Sequence, residues 1–156
     1  MHVIAAKAVA FHEAMKPEFK KYQQQLAANS RELALALEKK GFRIVSGGTD
    51  THLMLVDLNA KGVSGAEASK ILGEVNITVN KNLIPFDEKS PLVTSGIRLG
   101  TAAISTRNMK EPQMQEIASL INEALEGRND PAKLAETKKG TIALARKFPL
   151  YPELMK

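Results

Sequence analysis

The chain has 156 residues, 44% of them hydrophobic, enough for one globular domain with its own core and too few for two of ordinary size. It contains no Cys and no Trp, which excludes disulfides, zinc–thiolate centres and a thiol nucleophile, and fits a reducing cytoplasm. The net charge of +5 is dispersed in isolated pairs (Lys20-Lys21, Lys39-Lys40, Lys138-Lys139) among acidic residues and without interleaved aromatics, which argues against nucleic acid and suits anionic small molecules.

From Val3 to about Met15, the residues Ile4, Ala5, Ala8, Val9, Phe11 and Ala14 predict a helix with a broad apolar face that ends near Pro17. Apolar on several sides, this helix needs a packing partner outside the small sheet of the domain. The same stretch lacks the basic region, long apolar run and cleavage site of a signal peptide. No segment approaches the roughly 18 to 20 uninterrupted apolar residues of a membrane span, so the expectation is a soluble, cytoplasmic protein.

A second helix is predicted over Glu18 to Lys40 through Phe19, Tyr22, Leu26, Leu33, Leu35 and Leu37, with Gly41 as its C-cap. The period then changes. Phe42 to Ser46 reads as a strand, Gly47-Gly48-Thr49-Asp50 as a turn and His52 to Leu58 as a second strand, a hairpin. Ser64 and Glu67 have capping-box spacing ahead of a short helix through Ala66, Ala68, Ile71 and Leu72. Ile77 to Val79 reads as briefly extended, and Asn80 to Thr94 as a long loop of the kind that is often functional.

Ser95 to Leu99 predicts another strand and Gly100 to Thr106 a turn. Pro112 to Glu126 predicts an amphipathic helix through Met114, Ile117, Leu120, Ile121 and Leu125. A last helix spans about Pro131 to Lys147, followed by a Pro-containing tail. The order of elements predicts an α+β domain with a small, mainly antiparallel sheet covered by helices on one face.

Arg98 draws attention because Thr94-Ser95-Gly96-Ile97-Arg98-Leu99-Gly100-Thr101 sets a guanidinium in a strand-like segment bracketed by glycines. A planar fork on a rigid element binds a carboxylate through two parallel charge-assisted bonds, and the glycines let a ligand or a backbone approach; an internal ion pair is the alternative. Asn80-Lys81-Asn82 on an irregular loop can offer donors and acceptors to a polar heterocycle, although Asn is also common in turns for backbone reasons.

Other motifs read as structural. His2, His12 and His52 are far apart and lack metal-ligand spacing, and a hairpin hydrogen bond accounts for Asp50 and His52. Ser46-Gly47-Gly48-Thr49 joins two strands instead of opening a helix, so it is not a phosphate loop.

Gly41 to Asp50, His52 to Leu58, Ile77 to Asn82 and Pro91 to Thr101, in this order and spacing, resemble the C-terminal third of bacterial serine hydroxymethyltransferases. The opening His2-Val3-Ile4-Ala5-Ala6-Lys7-Ala8-Val9-Ala10 is similar to that family's mid-chain sequence. The resemblance implies residues 1–17 as a helix from the end of the large pyridoxal-phosphate domain and 18–156 as the small C-terminal domain of a fold-type I transferase. It further implies a homo-oligomer that exchanges serine and glycine, with tetrahydrofolate as one-carbon carrier. Arg98 would hold the amino-acid carboxylate, Asn82 the folate pteridine, and Lys81 would line the folate loop.

Three departures qualify that picture. The family's threonine-rich run ending in His-Lys, which carries the lysine bonded to pyridoxal phosphate, is not in this sequence, so no catalytic or cofactor-binding residue is expected in this chain. Ala102 stands where Pro is usual after Gly-Thr, and Asn108 where Gly is usual after Thr-Arg. The expectation is a portion of the transferase that needs its N-terminal part for catalysis. The alternative is a stand-alone folate- or carboxylate-binding or oligomerisation module.

Overall fold

Six helices and four strands follow one another in residues 1–151, the part of the chain described by the computed structural model. The predicted tail from Pro152 onward lies outside the described residues.

The first helix, α1 (His2–Ala14), has no buried residue: Val3, Ile4, Val9, Phe11 and Met15 all face solvent. The second, α2 (Pro17–Lys39), begins with Pro17 in its first turn, where a missing N–H costs nothing. It buries one stripe, Leu26, Leu33, Ala34 and Leu37, and stops where Gly41 adopts φ +82°, a left-handed conformation that glycine takes without strain.

The strands β1 (Arg43–Ile44), β2 (Leu53–Asp57), β3 (Asn80–Asn82) and β4 (Gly96–Gly100) form one antiparallel sheet in the order β1-β2-β4-β3. Ile44, Met54, Val56, Ile97 and Leu99 project from one face into the core. There they meet α2, α3 (Gly65–Glu74) and α5 (Glu111–Glu126), which contribute Leu37, Leu72, Met114 and Ile121 among others. The domain is therefore α+β, with helices on one face of a small antiparallel sheet. Ser64 caps α3 by accepting the Glu67 N–H at 3.2 Å, while Asp130 caps α6 (Pro131–Lys147) by accepting from Ala132 and Lys133.

Four segments differ from the sequence-based expectation. The first strand is only two residues long, because Val45–Gly47 turns into a 3-10 segment with Ser46 at φ +66°. The extended segment after α3 is Asn80–Asn82 instead of Ile77–Val79, since only there does the backbone meet β4. Gly100 to Thr106 is not a simple turn: Ala102–Thr106 forms α4, whose Ala102 carbonyl accepts from Tyr22 Oη at 3.3 Å. Among the described residues, side-chain hydrogen bonds at the hairpin come from Thr49 and Thr51, with Thr49 Oγ1 donating to Leu53 O at 2.6 Å, and not from Asp50 and His52.

Among the described residues, no helix is long and apolar enough to cross a membrane.

Candidate functional site

Strand periodicity places Arg98. Ile97 and Leu99 on either side are 0% and 6% exposed, so their faces are committed to the core and the guanidinium is thrown to the open face of the sheet. In register it lies between Leu55 of β2 and Asn80 of β3. No carboxylate among the described residues lies within ion-pairing distance of it, so the internal ion pair is not formed there. The basic residue of this face that is neutralised is Arg43, whose Nη1 donates to Asp57 Oδ2 at 2.6 Å.

The glycine at the start of β4 serves packing. A Cβ on Gly96 would lie 2.7 Å from Ile84 Cγ2 and 2.8 Å from Val56 O, so the loop side chain and the neighbouring strand fill the space that a ligand would need. Gly65 has the same role at the start of α3, where Gly65 N and Ala66 N donate to Thr94 O and Val93 O at 3.0 and 2.9 Å. Through these bonds, the helix N-terminus holds the segment leading into β4.

Asn80, Lys81 and Asn82 lie on the edge strand β3, not on an irregular loop. Lys81 Nζ donates to Leu92 O at 2.6 Å and straps the base of the loop that follows. Asn82 Nδ2 donates to Leu83 O at 2.7 Å, which leaves its amide oxygen available to a donor. Lys81, Asn82 and Arg98, together with Asn80, Ser69 and Lys70, line one open cavity of about 470 Å³ between α3 and β3. Lys70 is a member that sequence reasoning missed; its only signal was its place on the helix just before the Val-Asn-Lys-Asn segment.

Asp87 organises the loop itself. Its carboxylate accepts from Ile84 N, Lys89 N, Ser95 N and Ser95 Oγ at 2.8 to 3.2 Å. Partial desolvation pushes its pKa up, but the hydrogen bonds from Lys89, Ser95 and Ile84 outweigh this and bring it down to about 2. The anchor ties the end of β3 to the start of β4, so both strands that line the cavity keep a common frame. Phe86, just before it, sits at φ +58° with its ring wholly exposed.

A lysine that carries pyridoxal phosphate has to be desolvated and free to react. Lys61, one of the less exposed lysines, donates to Lys40 O at 2.6 Å and to Asn122 Oδ1 at 2.8 Å, and stands 4.6 Å from the centre of the Phe42 ring. It thus serves the C-terminal end of α2. Lys70 and Lys81 are exposed. None of these three lysines offers the desolvated, unengaged ammonium that a covalent cofactor seat needs.

A family model for serine hydroxymethyltransferase matches residues 1–121. Proteins named serine hydroxymethyltransferase from Koribacter versatilis and Myxococcus xanthus are 54% and 53% identical to the chain over 98% and 100% of its length. A third, from Polynucleobacter necessarius, is 53% identical over 97% of it. The chain spans little more than a third of these relatives, 36%, 37% and 36% of their lengths respectively. The family model's match over residues 1–121 and identity at this level across nearly the whole chain make it a member of the serine hydroxymethyltransferase family.

Proposed function

We propose that the chain is the substrate-side portion of a serine hydroxymethyltransferase that interconverts serine and glycine, with tetrahydrofolate as one-carbon carrier, in the cytoplasm. The observation that carries this reading is the convergence of Arg98, Asn82 and Lys81 on one cavity in a chain of that family. Arg98 takes the amino-acid carboxylate: its guanidinium stands on a rigid strand without a partner among the described residues, ready for a two-pronged contact. Asn82 takes the folate pteridine through its amide. Lys81, with its ammonium held by Leu92 O, shapes the loop beside the folate.

On this reading, the remainder of a full-length relative supplies pyridoxal phosphate, which stabilises negative charge at the substrate α-carbon. The work of this chain is orientation: fixing the carboxylate fixes the rotation of the bond that must break. The exposed α1 belongs to the large domain and packs against it, and the complete protein is a homo-oligomer.

The test is reconstitution with the N-terminal portion of a full-length relative. Replacing Arg98 by Ala should weaken amino-acid binding on the order of 10- to 100-fold, the size of a charge-assisted pair, and slow turnover. Unchanged kinetics would remove Arg98 from the site. Asn82→Ala should impair folate-dependent cleavage more than folate-independent exchange, and equal losses in both would refute its role. Borohydride trapping of the chain alone with pyridoxal phosphate should give only scattered labelling, whereas a stoichiometric adduct on one lysine would show that it forms its own cofactor bond.

A further inference from the structure

Asn82 Nδ2 donates to the Leu83 carbonyl at 2.7 Å, and Asp87 Oδ2 accepts from Ile84 N at 3.2 Å. That carbonyl and that N–H are the two ends of one planar peptide unit, which cannot rotate separately. Whatever fixes the Ile84 N–H therefore fixes the acceptor that orients the Asn82 amide. Among the described residues, the Ile84 N–H meets no acceptor but Asp87.

The rest of the loop makes this grip firm. The Asp87 N–H donates to Ile84 O at 3.1 Å, closing a turn with Pro85 second and Phe86 third, the latter at φ +58° as a type II turn requires. The carboxylate also accepts from Ser95 N and Ser95 Oγ, both at 2.8 Å, and from Lys89 N at 3.0 Å. Ser95 has a second hold, because Leu58 N donates to its carbonyl at 2.9 Å, and β2 pairs with β4 along its whole length. Arg98 thus keeps its place without Asp87, whereas the Leu83–Ile84 peptide does not.

An asparagine could not copy these contacts. Ile84 N and Ser95 N meet Oδ2, while Lys89 N and Ser95 Oγ meet Oδ1, so an NH2 group turned either way would confront a backbone N–H. We infer that Asp87 is a positioning residue for Asn82: through the Leu83–Ile84 peptide, it holds the amide with its oxygen open to a ligand. The consequence for tetrahydrofolate rests on the reading of Asn82 as a folate ligand.

The experiment has two readouts. The first is NMR relaxation of the side-chain amides in the full chain, with Asn80 on the same strand as reference, since its side chain has no hydrogen bond among the described residues. The order of the Asn82 amide should exceed that of Asn80 in the parent and fall to it in Asp87→Asn. Phe86→Gly added to Asp87→Asn separates positioning from turn stability, because glycine takes φ > 0 without strain and the Phe86 ring is exposed. The double variant should fold even where Asp87→Asn does not, and its Asn82 amide should still be loose. The second readout is the KM for tetrahydrofolate in the reconstituted enzyme. It should rise about fivefold in Asp87→Asn, the factor of one ordinary hydrogen bond, and no further when Asp87→Asn is added to Asn82→Ala.

An Asn82 amide that stays ordered in Asp87→Asn, or that Phe86→Gly restores, overturns the assignment. So does a KM for tetrahydrofolate that rises in Asn82→Ala but not in Asp87→Asn, or losses that add in the double variant. A loosened amide with that KM unchanged in both single variants removes Asn82 from the folate site and leaves the positioning by Asp87 standing.

Discussion

Replacing Gly65 by Ala should destabilise the domain by far more than a helix-favouring substitution normally could. Gly65 has no left-handed backbone, so conformation is not at issue; what matters is the space beside it. The added Cβ would run into Thr94 Oγ1 and the Gly96 carbonyl. The first is held by its hydrogen bond to Gly96 O at 3.1 Å, and the second belongs to the backbone of β4. Neither can swing away, so α3 must retreat and surrender the bonds from Gly65 and Ala66 to Thr94 and Val93. Overpacking costs about 1–3 kcal/mol and each lost bond about 1 kcal/mol, so the expected loss is about 3–5 kcal/mol.

For a chain of this size, that loss lowers the melting temperature by roughly 6–20 °C. Gly73→Ala in the last turn of the same helix is the control, because nothing lies within 4 Å of its added Cβ. It should be neutral or stabilising by up to ~1 kcal/mol through helix propensity. Thermal and urea unfolding of both variants decide the matter: a Gly65→Ala loss below about 1 kcal/mol, or equal effects at the two glycines, would mean that α3 does not bear on the β4 backbone as described.

Two further outcomes are expected. Asp87 has a folded pKa of about 2, below its unfolded value of 3.8, so its contribution to stability is complete above that value and lost as pH falls through about 2. Asp87→Asn should lower the urea midpoint at neutral pH, and its difference from the parent should shrink between about pH 4 and pH 2; a constant difference across that window would contradict the anchor. Ser30 Oγ is buried without a partner among the described residues, so Ser30→Ala should be neutral or stabilising by up to ~1 kcal/mol in urea unfolding, and a clear loss of stability would reveal a bond to that hydroxyl.

What was readable in the sequence follows from how far each signal is local. The helices α2, α5 and α6 carry their own stripes and end signals, such as the Lys39-Lys40-Gly41 stop and the Asp130-Pro131 start, and lie within a residue or so of expectation. Asn80–Asn82 could not be read as a strand, because none of its residues favours one; it is extended only because β4 offers a ladder to it. The short α4 is likewise tertiary: Thr101 Oγ1 donates to Leu26 O at 3.1 Å and Tyr22 reaches Ala102, contacts spanning some 75 to 80 residues of chain. Arg98 stood out from its glycine-flanked setting, yet the reason for the glycines was packing. Asp87 lacked any local mark, since it matters through a loop closing on itself.

The alternation along β4 has a consequence for how this strand can change. The side chain at 98 can be exchanged without touching the core, whereas an added Cβ at Gly96 would meet Ile84 and Val56 and one at Gly100 would press on Leu53. Deleting or inserting a single residue is another matter: it would point the guanidinium into the apolar interior and turn Ile97 and Leu99 out to water in the same step. Variation here is confined to replacement, and any change of length has to be absorbed elsewhere in the chain.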